Sequence, residues 1–118
     1  MSGALAYHAG RAAEDAVATD YERRGYEVAA RRMRNPAGEI DLVLREGAGL
    51  VFVEVKMSRS FAAAAWRLGR RQMDRICAAA AAFLDGEPRG ALTECRFDVA
   101  LVNGRGELRI VENAFGTA

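Results

Sequence analysis

Two strand-like segments four residues apart constrain this chain more than any other feature. Glu39-Ile-Asp-Leu-Val-Leu-Arg45 and Leu50-Val-Phe-Val-Glu-Val-Lys56 are rich in aliphatic and β-branched residues, and Glu46-Gly47-Ala48-Gly49 between them reads as a hairpin connection. If that connection closes the hairpin, Arg45 faces Leu50, Asp41 faces Glu54 and Glu39 faces Lys56. Opposed residues share a face and successive residues alternate. Glu39, Asp41, Glu54 and Lys56 then project from one face with Phe52, while Ile40, Leu42, Leu44, Val51, Val53 and Val55 cover the other as core. A slip of one residue would reverse every assignment.

Three carboxylates around one amine need an explanation. Asp41 and Glu54 would stand about 5 Å apart and repel by about 3 kcal/mol at an effective dielectric of 20. A shared proton, the Lys56 ammonium or a divalent cation could offset this, and carboxylate oxygens suit Mg²⁺ or Mn²⁺. The competing reading is a solvated hairpin face carrying a Glu39–Lys56 ion pair.

The rest of the chain supplies covers for such a hairpin. Residues 3–24 read as a helix with Leu5, Ala9, Ala13, Ala16, Val17 and Tyr21 at helical spacing, stopped by Gly25. Glu14 lies on the stripe of Gly10, Val17 and Tyr21, beside the buried face. It either pairs with Arg11 or another arginine or reaches the acidic cluster if this helix packs over that end of the sheet. Residues 26–34 read as a first strand ended by Asn35-Pro36-Ala37-Gly38, and residues 61–85 as one long helix with Trp66, Gly69, Met73, Ile76, Cys77, Ala80, Phe83 and Leu84 on one face. Residues 92–102 and 107–111 read as two more strands joined at Asn103-Gly104. The order α-β-β-β-α-β-β, with a helical crossover between strands three and four, predicts an α/β fold: a mixed sheet with one parallel pair, flanked by helices.

At 118 residues the chain holds one domain, residues 1–118. No apolar run approaches the ~18–20 residues of a membrane span, and no secretory signal is visible, which points to the cytoplasm and away from a membrane partner. Cys77 and Cys95 form no CxxC or Cys/His cluster, and read as small buried hydrophobes in a reducing compartment. His8 reads as a surface or capping residue.

The net charge of +1 is uninformative, but its composition is not: the chain carries 16 Arg and a single Lys, Lys56. Against that bias toward arginine, a surviving lysine marks a place that wants a compact point charge rather than a planar fork. Arg23, Arg24, Arg31, Arg32 and Arg34 gather around the first strand. Arg67, Arg70, Arg71 and Arg75 lie on the polar face of the second helix. Both clusters suit phosphate contacts, although a solvated helix face would look the same. Tyr26, Trp66 and Phe83 read as core, leaving no aromatic interleaving for base stacking.

These residues carry a resemblance. Asp41 followed by Glu54-Val55-Lys56 resembles the D…(D/E)xK signature of restriction-endonuclease-like nucleases. Gly10-Arg-Ala-Ala-Glu14-Asp-Ala16, Gly38-Glu-Ile-Asp41-Leu, Phe52-Val-Glu-Val-Lys56, Arg71-Gln72, Arg96-Phe-Asp-Val99 and Asn113-Ala-Phe115 together resemble, in order, the YraN-like or UPF0102 family, related in fold to archaeal Holliday-junction resolvases. The resemblance implies a restriction-endonuclease-like fold. It implies Mg²⁺ or Mn²⁺ held by Asp41, Glu54, the Val55 carbonyl and Glu14, with Lys56 as the catalytic amine and Gln72 in support. Glu39 joins these by its place in the hairpin. Where the family usually has arginine two residues after the lysine, this chain has Ser58, with Arg59 next, so a phosphate contact there is lost or moves to Arg59. The implied activity is hydrolysis of DNA phosphodiesters, on branched or single-stranded substrates, with Arg31, Arg32, Arg34, Arg59, Arg70, Arg71 and Arg75 on the phosphates. The alternative is a binding module for nucleic acid or a partner protein that keeps the fold without cutting. A chain this small facing a four-way junction leaves room for a homodimer.

Overall fold

The hairpin is apolar on both faces and therefore needs two covers. In a computed structural model, which describes residues 3–115 and side chains from residue 9 onward, it has them. Helix α1 (Gly3–Arg23) is followed by strands β1 (Glu27–Asn35), β2 (Gly38–Glu46) and β3 (Gly49–Met57). Then come helices α2 (Phe61–Trp66) and α3 (Arg70–Leu84), a short 3₁₀ turn at Gly90–Leu92, and strands β4 (Cys95–Val102) and β5 (Leu108–Phe115). The five strands lie side by side in chain order. β3 and β4 run parallel across the helical crossover and every other pair is antiparallel, as the element order predicts. The side chains of Leu5 and His8 lie outside the described residues.

Helix α1 covers one face through Ala13, Val17, Ala18 and Tyr21 against Leu42, Leu44, Val51, Val53, Ala100 and Val102. Helix α3 covers the other through Ile76, Ala79, Ala80 and Leu84 against Ile40, Val43, Leu50 and Phe52. Covered on both sides, the central strands read as continuous apolar runs rather than alternating ones. The expected polar face is therefore polar only at its far end, since Phe52 is wholly buried between Phe83 and Phe97, at ring-centroid distances of 5.9 and 5.4 Å.

The chain stops α1 with a Schellman motif. Tyr26 N–H donates to the Tyr21 carbonyl at 3.1 Å and Gly25 N–H to the Glu22 carbonyl at 3.0 Å, and the Tyr21 and Tyr26 rings meet edge to face at 5.2 Å. The motif needs a left-handed residue, and Gly25 sits at φ 95°. Gly25→Ala is expected to cost about 1–2 kcal/mol, seen as a lower melting temperature with an unchanged far-UV spectrum.

The long helix predicted for residues 61–85 is two helices. Ser60 caps α2, its hydroxyl accepting from Ala63 N–H. Arg67 and Leu68 then close with three-residue bonds to Ala64 and Ala65, and Gly69, extended at φ −94° and ψ 164°, restarts the chain as the N-cap of α3. Helix α2 packs on β3 and β4, whereas α3 crosses to β1 and β2. One straight rod cannot follow both, and the break falls at the residue with the weakest helix preference after proline. The break resets the helical phase, so Trp66, expected in the core, is 90% exposed. Cys95, at the open start of β4, is also exposed and Cys77 is half-buried. Both are free thiols, correcting the expectation that both are buried.

Asp98, assigned no role from sequence, is fully buried on β4. Its carboxylate accepts from Tyr21 Oη at 2.7 Å, Arg96 Nε at 2.9 Å and Asn113 N–H at 3.0 Å. Arg96 also donates to Tyr26 Oη at 2.9 Å and pairs with Glu112 at 3.2 Å. This network ties α1, the loop into β1, β4 and β5 together. Burial and the Asp98 carboxylate hold the Tyr21 phenol far above its ordinary range. Among the described residues no helix is long and apolar enough to cross a membrane.

Candidate functional site

The β2–β3 ladder follows the predicted register from Glu46↔Gly49 to Leu42↔Val53 and then stops. One residue further on, the Asp41 carboxylate replaces a main-chain acceptor: Oδ2 takes the Val55 N–H at 2.8 Å. The strands part there. Asp41 and Glu54 are therefore not a ladder pair, nor are Glu39 and Lys56. Ile40, expected beside Leu42, instead joins Val43 on the α3 side. Two like charges held opposite each other would be costly, and opening the ladder gives one of them a donor.

The opening leaves a cavity of about 210 Å³ at this end of the sheet. Asp41, Glu54, Val55 and Lys56 border it from the strands, Glu14 from α1 and Gln72 from α3. Glu54, 5% exposed, is held from two sides. Gln72 Nε2 donates to its Oε2, and Lys56 Nζ lies 3.8 Å from the same oxygen. Burial, then the hydrogen bond and charge of Asp41, push Glu54 up to about 9; Lys56 opposes the shift and the Glu14 charge adds to it. Burial and the neighbouring Asp41 thus favour the protonated form of Glu54, one of the three compensations open to the pair.

Glu39 also borders the cavity, but its carboxylate turns outward to Arg34, at 2.7 and 3.0 Å, rather than to Lys56. This overturns the competing reading of a Glu39–Lys56 cross-strand ion pair. Glu14 pairs with Arg32 at 2.7 Å, and Arg31 with Asp15 at 2.6 Å. A bulge after Val28 and the left-handed backbone of Arg32, φ 48°, aim these β1 arginines at α1. Arg32 and Arg34 thus pair with the cavity-lining Glu14 and Glu39, and Arg31 pairs with Asp15 outside the cavity. Arg59, Arg70, Arg71 and Arg75 are exposed. Arg75 lines a second cavity that shares Glu39 and Gln72 with the first, and Arg70 has Asp74 at 3.5 Å in open solvent. Arg67, counted in sequence only as part of a basic face, is anchored: its guanidinium donates to the Met57 carbonyl at 2.8 Å, at the cavity's edge. The break at Gly69 was the signal for this placement.

The sequence matches the uncharacterised protein family UPF0102 over residues 13–102. The chain belongs to this family. A UPF0102 protein of Cereibacter sphaeroides strain KD131 is 64% identical over 98% of this chain and 98% of its own length. A UPF0102 protein of Ruegeria pomeroyi is 64% identical over 92% of this chain and 88% of its own length, and one of Dinoroseobacter shibae is 45% identical over 94% and 83%. The UPF0102 match spans Glu14, the hairpin, α3 and β4, and so contains every residue bordering the cavity except Gly10.

Proposed function

We propose that this UPF0102 chain is a divalent-cation-dependent nuclease of the restriction-endonuclease-like kind, hydrolysing DNA phosphodiesters, and that branched or single-stranded DNA is its substrate. The observation that carries the reading is the opening of the β2–β3 ladder, which gathers Asp41, Glu54 and Lys56 at one cavity. The α-β-β-β-α-α-β-β order with β3 and β4 parallel supports the fold assignment.

The donors fit a hard cation, because Asp41, Glu54 and the Val55 carbonyl offer only oxygen and border one cavity. Asp41, Glu54 and the Val55 carbonyl would hold Mg²⁺ or Mn²⁺, with Glu14 as a further acid. When bound, the cation polarises the phosphate and lowers the pKa of a bound water. The chain's own groups do the rest. Gln72 fixes the rotamer of Glu54, and the Val55 N–H fixes that of Asp41. Lys56, 16% exposed, presents an ammonium to the phosphate and orients the attacking water. The water oxygen bonds to phosphorus, the bond to the 3′ oxygen breaks and that oxygen takes up a proton, leaving a 5′-phosphate. Two such sites in a homodimer would address two strands.

Two observations favour the second reading, a binding module that does not cut. Glu14 is committed to Arg32, and among the described residues no three acidic, histidine or cysteine side chains converge as a ready metal site. One assay separates the two: labelled single-stranded, duplex, flap and four-way-junction DNA incubated with wild type in Mg²⁺, Mn²⁺ or chelator. Cleavage of one class, abolished by chelation, is expected. The nuclease reading also predicts that Mn²⁺ at about 100 times its Kd stabilises the fold by about 2.7 kcal/mol, a shift absent in Asp41→Ala. Intact DNA, salt-sensitive binding and no metal shift would establish the binding module instead.

A further inference from the structure

Trp66 is the most exposed large apolar side chain among the described residues. It ends α2, whose inward residues are Phe61 and Ala64. Two positions beyond Ala64, about 200° round the helix, Trp66 turns away from the sheet. Arg67, Arg70 and Arg71 follow directly, and no acidic residue occurs between Phe61 and Met73. The stretch is tied to the candidate site at both ends. Arg67 is bonded to the Met57 carbonyl, and Gln72 holds Glu54.

An exposed indole within an acid-free, arginine-bearing stretch is complementary to a nucleobase and its flanking phosphates. The ring can stack on any base, and guanidinium groups take phosphate oxygens. The Arg70–Asp74 contact, at 3.5 Å with both side chains exposed, competes weakly. We propose that Trp66 is a stacking platform for an unpaired nucleobase beside the Asp41–Glu54–Lys56 cavity, with Arg67, Arg70 and Arg71 on the adjoining phosphates. The preferred substrate is then single-stranded nucleic acid, or the unpaired nucleotide at a branch, rather than continuous duplex. In duplex the bases stack on each other and must be extruded before the indole can reach one. The inference rests on nucleic acid being the substrate, but stacking requires no chemistry, so the platform and the nuclease can fail separately.

Trp66 is the chain's single tryptophan, so its fluorescence reports the stack directly. The full chain carrying Asp41→Asn, which prevents cutting, is titrated with a single-stranded oligonucleotide and with its blunt duplex. Strong quenching by the single strand and little by the duplex is expected. By anisotropy of a labelled single strand, Trp66→Ala should weaken binding about 5- to 150-fold, the worth of one stacked base, and Trp66→Phe should restore most of it. Equal quenching by both forms, or binding without quenching, overturns the platform. So does a concentration-dependent blue shift without oligonucleotide, which would assign the indole to a contact between two copies of the chain. Cleavage by wild type with a silent Trp66 sinks the platform alone. Quenching without cleavage by wild type sinks the nuclease alone.

Discussion

Lys56→Ala is expected to lower the cleavage rate by at least about 10²–10³-fold while leaving the fold and salt-sensitive DNA binding in place. That magnitude is typical of removing one preorganised group that faces developing charge. The fold should survive because Glu54 keeps its bond from Gln72 and Asp41 keeps its bond from the Val55 N–H. Lys56→Arg should not rescue activity. A planar fork cannot occupy the place of a compact ammonium beside a 210 Å³ cavity that must also admit a phosphate. The check is single-turnover cleavage of whichever DNA class the wild type cuts, with melting temperature and DNA affinity measured on the same samples. Undiminished cleavage by Lys56→Ala would remove this cavity from the chemistry.

Asp98→Ala is expected to be the most destabilising single change away from the site, at about 3–5 kcal/mol. For a domain of this size that lowers the melting temperature by about 10–20 °C. The carboxylate is fully buried and accepts from Tyr21, Arg96 and Asn113, so its removal leaves the Tyr21 hydroxyl without its acceptor and Arg96 without its closest counter-charge. Tyr21→Phe deletes one donor and keeps the ring in the core, and should cost a fraction of that. Calorimetry of both variants tests the ranking. A Tyr21→Phe loss equal to that of Asp98→Ala would mean that the tyrosine bond, not the arginine pair, holds this part of the fold.

The hairpin register was legible because turn length and side-chain alternation are local rules, and Leu42↔Val53 through Glu46↔Gly49 obeys them. The parallel β3–β4 pair followed from a helical crossover, also a local count of elements. The same rules put Asp41, Glu54 and Lys56 at one end of the hairpin, whereas Glu14 was placed there only if α1 packed over it and Gln72 only by the family resemblance. Tertiary structure decided the rest. Asp41 breaks the ladder because a carboxylate can take a strand's N–H when its cross-strand neighbour is another acid, a preference no alternation rule contains. Glu39 found Arg34, its ladder partner on β1, and Glu14 found Arg32 because a bulge and a left-handed residue turned that strand toward α1. Trp66 came to the surface because α2 and α3 cover different strands and the chain had to break between them. Asp98 became a buried anchor because β4 carries it beside Arg96 and against the Tyr21 hydroxyl of α1 and the Asn113 amide of β5, both from distant parts of the chain. Periodicity sees only neighbours along the chain, whereas a buried charge is defined by partners that folding alone assembles.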